Sequence, residues 1–400
     1  MTSQSARYAI VLGLLSAVGP FAIDMYLPAL PSIAADLGAT TAATQMTLMV
    51  FFITFGVSQL VYGPVSDMIG RKRPLYFGLA LFAAGGIGAG LSPSIEWLIF
   101  FRFVQGIGAA ACAVTPRAII RDLHTGVEAA RLMATVMLVF SVSPILAPLI
   151  GSGIIVPFGW RAVFVAVFIV AILAIALVAW ALPETLPPER RAAVSVRSVL
   201  SGFGRLIRDP RFLGLTFIGG LGISSFFTFL ANSSFVYIEH YGLTPTEFSL
   251  AFSINAVGFI GASQFAARIA RRYGFAKMIL RAVTAYAVFS VSLFLVTLAG
   301  ADWLLVLMAG LFLAFACLGL VIPTTMVMAL EEHGPIAGMA SALGGTLQFL
   351  TGAVMISIAS VIFDGTSLPM VGIIAGCSLG ALTLAVVTLG RRAAAPAAAE

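Results

Sequence analysis

Gly63-Pro64-Val65-Ser66-Asp67-Met68-Ile69-Gly70-Arg71-Lys72-Arg73 is a short turn wedged between two long apolar runs, and its flanks decide the fold. One carboxylate is followed by three cations. Cations gathered between membrane-length segments mark a loop on the cytoplasmic side of a bilayer. Asp67 is foreign to that rule and needs a second explanation.

Outward from this turn, the composition excludes a soluble protein. The chain has 400 residues, 60% hydrophobic and only 10% charged, where soluble domains carry about 25% charged residues. Mean hydropathy is +1.07. A soluble core cannot hide so much apolar surface, so the solvent is lipid. The net charge of +6 then belongs to basic loops rather than to a nucleic-acid face. Cys112, Cys317 and Cys377 fall inside apolar runs without metal-ligand spacing and read as packing residues. The first apolar run contains Asp24 and continues to Pro31, which argues for a retained span over a cleaved signal.

About 20 apolar residues cross a bilayer as a helix. That ruler gives twelve spans, at roughly 8–31, 44–66, 74–92, 96–120, 131–156, 160–183, 211–236, 246–268, 276–299, 303–329, 336–362 and 368–390. With the N-terminus inside, only Arg102, Arg117 and Arg161 of the 22 Lys and Arg residues fall away from cytoplasmic loops and tails. The positive-inside rule therefore puts both termini in the cytoplasm. Trp97, Trp160 and Trp303 then fall at outer interfaces, where amphipathic rings are expected.

A polar interval divides the chain into a six-helix bundle at 1–183, a linker at about 184–210, and a second six-helix bundle with a short tail at 211–400. Within the linker, Val196, Val199, Leu200, Phe203, Leu206 and Ile207 recur at helical spacing opposite Arg197, Arg205 and Arg208. This reads as a basic amphipathic helix on the inner leaflet. The loop Ala267-Arg268-Ile269-Ala270-Arg271-Arg272-Tyr273-Gly274 mirrors the opening turn about 200 residues later. It keeps the glycine and the cations, with Arg271 where Asp67 stood. The expectation is an all-α membrane protein of twelve transmembrane helices in two pseudo-symmetric halves.

Ionisable residues inside spans are expensive and are functional candidates by default. Asp24 and Arg102 both lie about 10 Å below the outer face, on spans running in opposite directions. They can face each other across a cavity or form a structural salt bridge. Such a carboxylate can bind and release a proton under working conditions, and a substrate near it would compete with the proton. Gln105 lies one turn from Arg102 on the same face. Pro144, Pro148 and Gly151 in the fifth span suggest a bent, closely packed helix. Tyr26, Phe227, Asn232, Asn255 and Gln348 are candidates for a weakly polar, aromatic cavity lining, with ordinary packing as the competing reading for any single phenylalanine. Arg117, Arg121 and Asp122 cluster at the inner end of the fourth span.

With these residues in place, the chain resembles the major facilitator superfamily, and more narrowly its Bcr/CflA-type drug:proton antiporters, over essentially its whole length. Gly63, Asp67, Gly70, Arg71 and Arg73 are similar to the superfamily's loop signature. Ile23-Asp24-Met25-Tyr26-Leu27-Pro28-Ala29-Leu30-Pro31, Arg102-Phe103-Val104-Gln105-Gly106-Ile107-Gly108, Arg121-Asp122-Leu123, Gly159-Trp160-Arg161 and Leu182-Pro183-Glu184-Thr185 match in order and spacing. In Ala147-Pro148-Leu149-Ile150-Gly151-Ser152-Gly153, Ala147 and Ser152 replace glycines of the antiporter motif.

The resemblance implies the major facilitator fold, a central cavity and alternating access. Asp24 would carry the proton, Arg102 would be its partner, and Asp67 would latch the first half near the start of span 11. It implies export of small, mostly apolar drugs across a bacterial inner membrane by a monomer without cofactor, driven by the proton gradient. A metabolite transporter is the alternative, although a sugar site would want more intramembrane Asn, Gln and Glu. His124, His240 and His333 lie in loops, which leaves an enzyme without a catalytic cluster at depth. No phosphate-binding loop or filter-like segment supports an ATPase or a channel.

Overall fold

The computed structural model describes residues 3–124, 126–191 and 196–393, and every regular element among them is helical. Hydrocarbon offers backbone groups no partner, so each span must bond within itself. Two compact units result, Met1–Ser198 and Val199–Glu400.

The first unit comprises α1 (Ser3–Asp24), the short α2 (Leu30–Asp36), α3 (Thr41–Ile69), α4 (Lys72–Gly90), α5 (Ile95–Leu123), α6 (Gly126–Phe158) and α7 (Arg161–Ala181). The first span is broken. Met25 N still bonds four residues back to Phe21 O, whereas Tyr26 N bonds three back to Ile23 O. A 3₁₀ turn over Leu27–Ala29 follows, with Pro28 in its first turn, and Pro31 opens α2. Neither proline offers an amide to the ladder, so the break is written into the sequence. It leaves the Ala22 carbonyl without its usual amide partner.

Helices pack on α5 through glycines. A Cβ at Gly106 would overlap Thr54 Oγ1 and lie 2.6 Å from the Phe51 carbonyl oxygen on α3. One at Gly108 would overlap the Gly78 carbonyl of α4, and one at Gly151 on α6 would overlap the Met25 carbonyl at the break in span 1. Small residues let backbones touch where lipid gives no hydrophobic drive to association.

In the second unit, α8 (Val196–Ile207, begun just before the unit boundary) leads into α9 (Pro210–Ser234), α10 (Pro245–Tyr273), α11 (Phe275–Leu298), α12 (Leu304–Glu331), α13 (Ala337–Ile362) and α14 (Leu368–Ala393). Phe226 and Phe229 of α9 pack with Phe252 and Phe315 at ring separations of 5.2–6.5 Å. Phe227 points elsewhere, onto Phe349 at 5.1 Å.

Among the described residues, eleven helices are long and apolar enough to cross a membrane, with α1 and α2 counted as one. The twelfth is α4, whose 19 residues begin with Lys72 and Arg73. Trp97 and Trp303 are exposed, whereas Trp160 is 5% exposed and its indole N–H donates to Asp36 at 3.0 Å, the partner that a buried indole needs.

Gly106→Ala is expected to destabilise the detergent-solubilised protein by about 1–3 kcal/mol through overpacking against fixed backbone. Gly153→Ala, where nothing lies within 4 Å of the added carbon, should leave the unfolding temperature unchanged or slightly raised. Thermal unfolding followed by intrinsic fluorescence measures both.

Candidate functional site

Arg102 is fully buried. Its guanidinium lies over the rings of Tyr26 (4.8 Å) and Phe51 (4.3 Å). Nη1 donates to the Ala22 carbonyl left over at the span 1 break (3.2 Å) and to Gln105 Oε1 (2.6 Å). Nε and Nη2 have no hydrogen-bond partner among the described residues. Tyr26 is held in turn by Thr47 Oγ1 at 2.8 Å and by Phe164 at 5.4 Å.

Asp24, two residues past Ala22, is 4% exposed. Among the described residues it forms no ion pair, with Arg102 or with any other cation. The direct pairing open in the sequence is therefore not what the structure shows. The arginine reaches the backbone of the same span and aromatic faces instead. Asp24 and Arg102 share the span 1 break without neutralising each other in contact.

A second constellation sits at the basic end of this unit. Arg71, at the start of α4, is buried and bonds Asp67 (2.5 Å), Asp122 through Nε (2.7 Å) and Ser66 Oγ (2.9 Å). Burial works against its charge, but the carboxylates of Asp122 and Asp67 prevail and raise its pKa above the ordinary arginine value. Thr185 donates to Asp122 at 3.1 Å.

Glu184, just beyond α7, accepts the backbone amides of Arg71 (2.9 Å), Lys72 (3.2 Å) and Leu186 (3.1 Å). Its partial burial pushes its pKa up, yet those amides, with that of Thr185, overcome this and hold it below the ordinary value of 4.5. Gly70 completes the turn at φ +96°, with Glu184 Oε2 2.7 Å from where a Cβ would stand. Both the dihedral and the space require glycine. The end of α3, the end of α5 and the segment after α7 thus close on one buried guanidinium.

Other predicted residues are placed separately. Arg73 and Arg121 are exposed, and a Cβ at Gly63 would meet nothing. Pro144 and Pro148 lie inside α6, which continues through them to Phe158. In the second unit, Asn232 donates to the Thr228 carbonyl (2.8 Å) and Asn255 to that of Ala251 (3.5 Å). Gln348 Nε2 lies 2.9 Å from the position of a Gly219 Cβ. Tyr26 and Gln105 are fully buried inside the first unit, and Phe227, Asn232, Asn255 and Gln348 are each below 8% exposed. The sequence reading missed the roles of Phe51, Thr47 and Ser66, and matched Glu184 without giving it one. The amides that Glu184 binds are backbone groups, and backbone leaves no trace in residue type.

A family model described as Major Facilitator Superfamily matches residues 12–356. The chain is 35% identical over 90% of both chains to an uncharacterized MFS-type transporter, YdgK, of Bacillus subtilis. It is 31% identical to a bicyclomycin resistance protein homolog of Haemophilus influenzae, over 94% of this chain and 95% of that one. Multidrug resistance protein D of Escherichia coli is 30% identical over 90% of each. The fold is that of the D-xylose-proton symporter crystal structure (TM-score 0.72, 18% identity, covering 95% of this chain and 96% of that one).

The depressed Glu184 carboxyl contributes stability that is fully present above its ordinary value of 4.5. That contribution is lost as pH falls through its lower value in the folded protein. Glu184→Gln is therefore expected to lower the unfolding temperature near neutrality, with the gap to wild type closing as pH falls below 4.5. A gap that stays constant with pH would assign Glu184 a packing role only.

Proposed function

Because the chain belongs to the Major Facilitator Superfamily, a family of transporters and not of enzymes, we propose that it exports small, mostly apolar drugs in exchange for protons. The observation that carries the reading is Asp24, a carboxyl buried in a span with no ion-pair partner among the described residues. A group so placed can gain and lose a proton without breaking a salt bridge, and an intramembrane acid is the usual seat of a proton relay. Relatives named for bicyclomycin and multidrug resistance support drugs as the cargo.

In this reading Asp24 alternates between the two sides of the membrane as the transporter changes state. It takes a proton from outside and releases it inside, and drug and proton compete for the same region. Arg102 stays charged throughout. It positions Asp24 through the Ala22 carbonyl and Tyr26, and it never enters the proton exchange. The protein works as a monomer in a bacterial inner membrane with both termini cytoplasmic. The proton gradient supplies the energy, with no cofactor.

Membrane vesicles energised by an imposed pH gradient test the reading. Wild type should expel a lipophilic drug as the gradient is applied. Asp24→Asn should still bind the drug yet expel it no faster than vesicles lacking the protein. Undiminished gradient-driven efflux from Asp24→Asn would remove Asp24 from the coupling.

A further inference from the structure

The second unit carries a cavity that drug export leaves unused. It has a volume of about 570 Å³ and is lined by Ser201, Arg205, Arg208, Asp209, Glu332 and His333, a size that suits a small ligand. Its acids are already engaged. Asp209 caps α9, accepting the Arg211 and Phe212 amides at 2.8 and 3.2 Å, and its second oxygen meets His333 Nε2 at 3.0 Å. Glu332 is ion-paired with Arg211. His333 is 7% exposed and packs against Phe212.

Arg205 and Arg208 differ. Both are exposed, and neither has an ion-pair partner among the described residues. Two unpaired guanidiniums over compensated acids make the cavity the complement of an anion, and the planar fork of arginine suits phosphate oxygens.

The helix that holds them indicates which anion. α8 seats on the unit through fully buried Leu206 and through Gly202, where a Cβ would stand 2.7 Å from Met339 Sδ. The same short helix exposes Leu200 (64%) and Ile207 (52%). Exposed aliphatic side chains beside unpaired arginines are the composition of a helix lying in the membrane interface. Basic pockets at the cytoplasmic ends of spans take lipid head groups.

We propose that this cavity binds the phosphate-bearing head group of an anionic phospholipid, with Arg205 and Arg208 engaging the phosphate and Leu200 and Ile207 seated among acyl chains. The lipid would fasten α8 to the inner leaflet at the foot of α9. This site is independent of the drug and proton assignments.

Native mass spectrometry of the purified full-length protein, titrated with phosphatidylglycerol, phosphatidylcholine or inorganic phosphate, tests the site. Phosphatidylglycerol should bind more tightly than phosphatidylcholine. The Arg205→Ala/Arg208→Ala variant should bind it about thirtyfold more weakly, at roughly fivefold per arginine near the head groups. Arg271→Ala/Arg272→Ala removes equal charge from the last turn of α10 and should change nothing. Both lining arginines are exposed and unpaired, so the variant is expected to fold, and an unchanged unfolding temperature in lipid-free detergent verifies it. Wild-type affinity in Arg205→Ala/Arg208→Ala, or equal loss in both variants, overturns the site. Displacement of phosphatidylglycerol by an equal concentration of inorganic phosphate would overturn the lipid assignment in favour of a free anion.

Discussion

A fully buried guanidinium with no ion pair among the described residues constrains the first unit more than any other group. Placing an arginine inside a span costs about 3 kcal/mol on insertion scales. Arg102 offsets this with two aromatic faces, each worth about 2 kcal/mol when desolvated, and with a carbonyl that exists as a free acceptor only because span 1 breaks. The break, the ring of Tyr26 and the position of Asp24 therefore stand or fall together. Gly106 and Gly151 bring α3, α6 and the broken segment close enough for this to happen. The chemistry of the site and the close packing of the bundle are one requirement.

The basic end of the same unit solves a similar problem differently. Arg71 is also buried, but it sits where carboxylates are affordable, and it gathers Asp67 and Asp122. Removing one member of such a buried set strands the others, which costs about 3–5 kcal/mol. Glu184 adds a tie that needs no cation, because it binds the amides at the start of α4. Asp67, half exposed at the end of α3, thereby has a partner in Arg71 four residues on, which positive-inside bias alone does not require.

Much of this was legible in residue types. Hydropathy located the helices, including α4, whose charged start obscures it. An acid and an arginine at matched depth announced the site, whereas the first span was read as continuous although Pro28 and Pro31 break it. Arg102 and Gln105 at helical spacing do bond each other. What the sequence could not disclose are partners made of backbone or of ring faces. Ala22, Phe51 and the amides that Glu184 holds carry no charge to search for. The bond from Trp160 to Asp36, distant in sequence, leaves no sign in residue type either. In the second unit, the basic cavity at the foot of α9 was not read as a site, because its charges are divided between the linker and the distant loop after α12.

The central claim is that Asp24 exchanges its proton while Arg102 stays fixed beside it. The most direct measurement is proton release from purified, weakly buffered protein when it binds a compound that vesicles export. Wild type should release a proton on binding, and Asp24→Asn should bind and release none. Equal release from the two proteins would contradict the claim and move the coupling elsewhere.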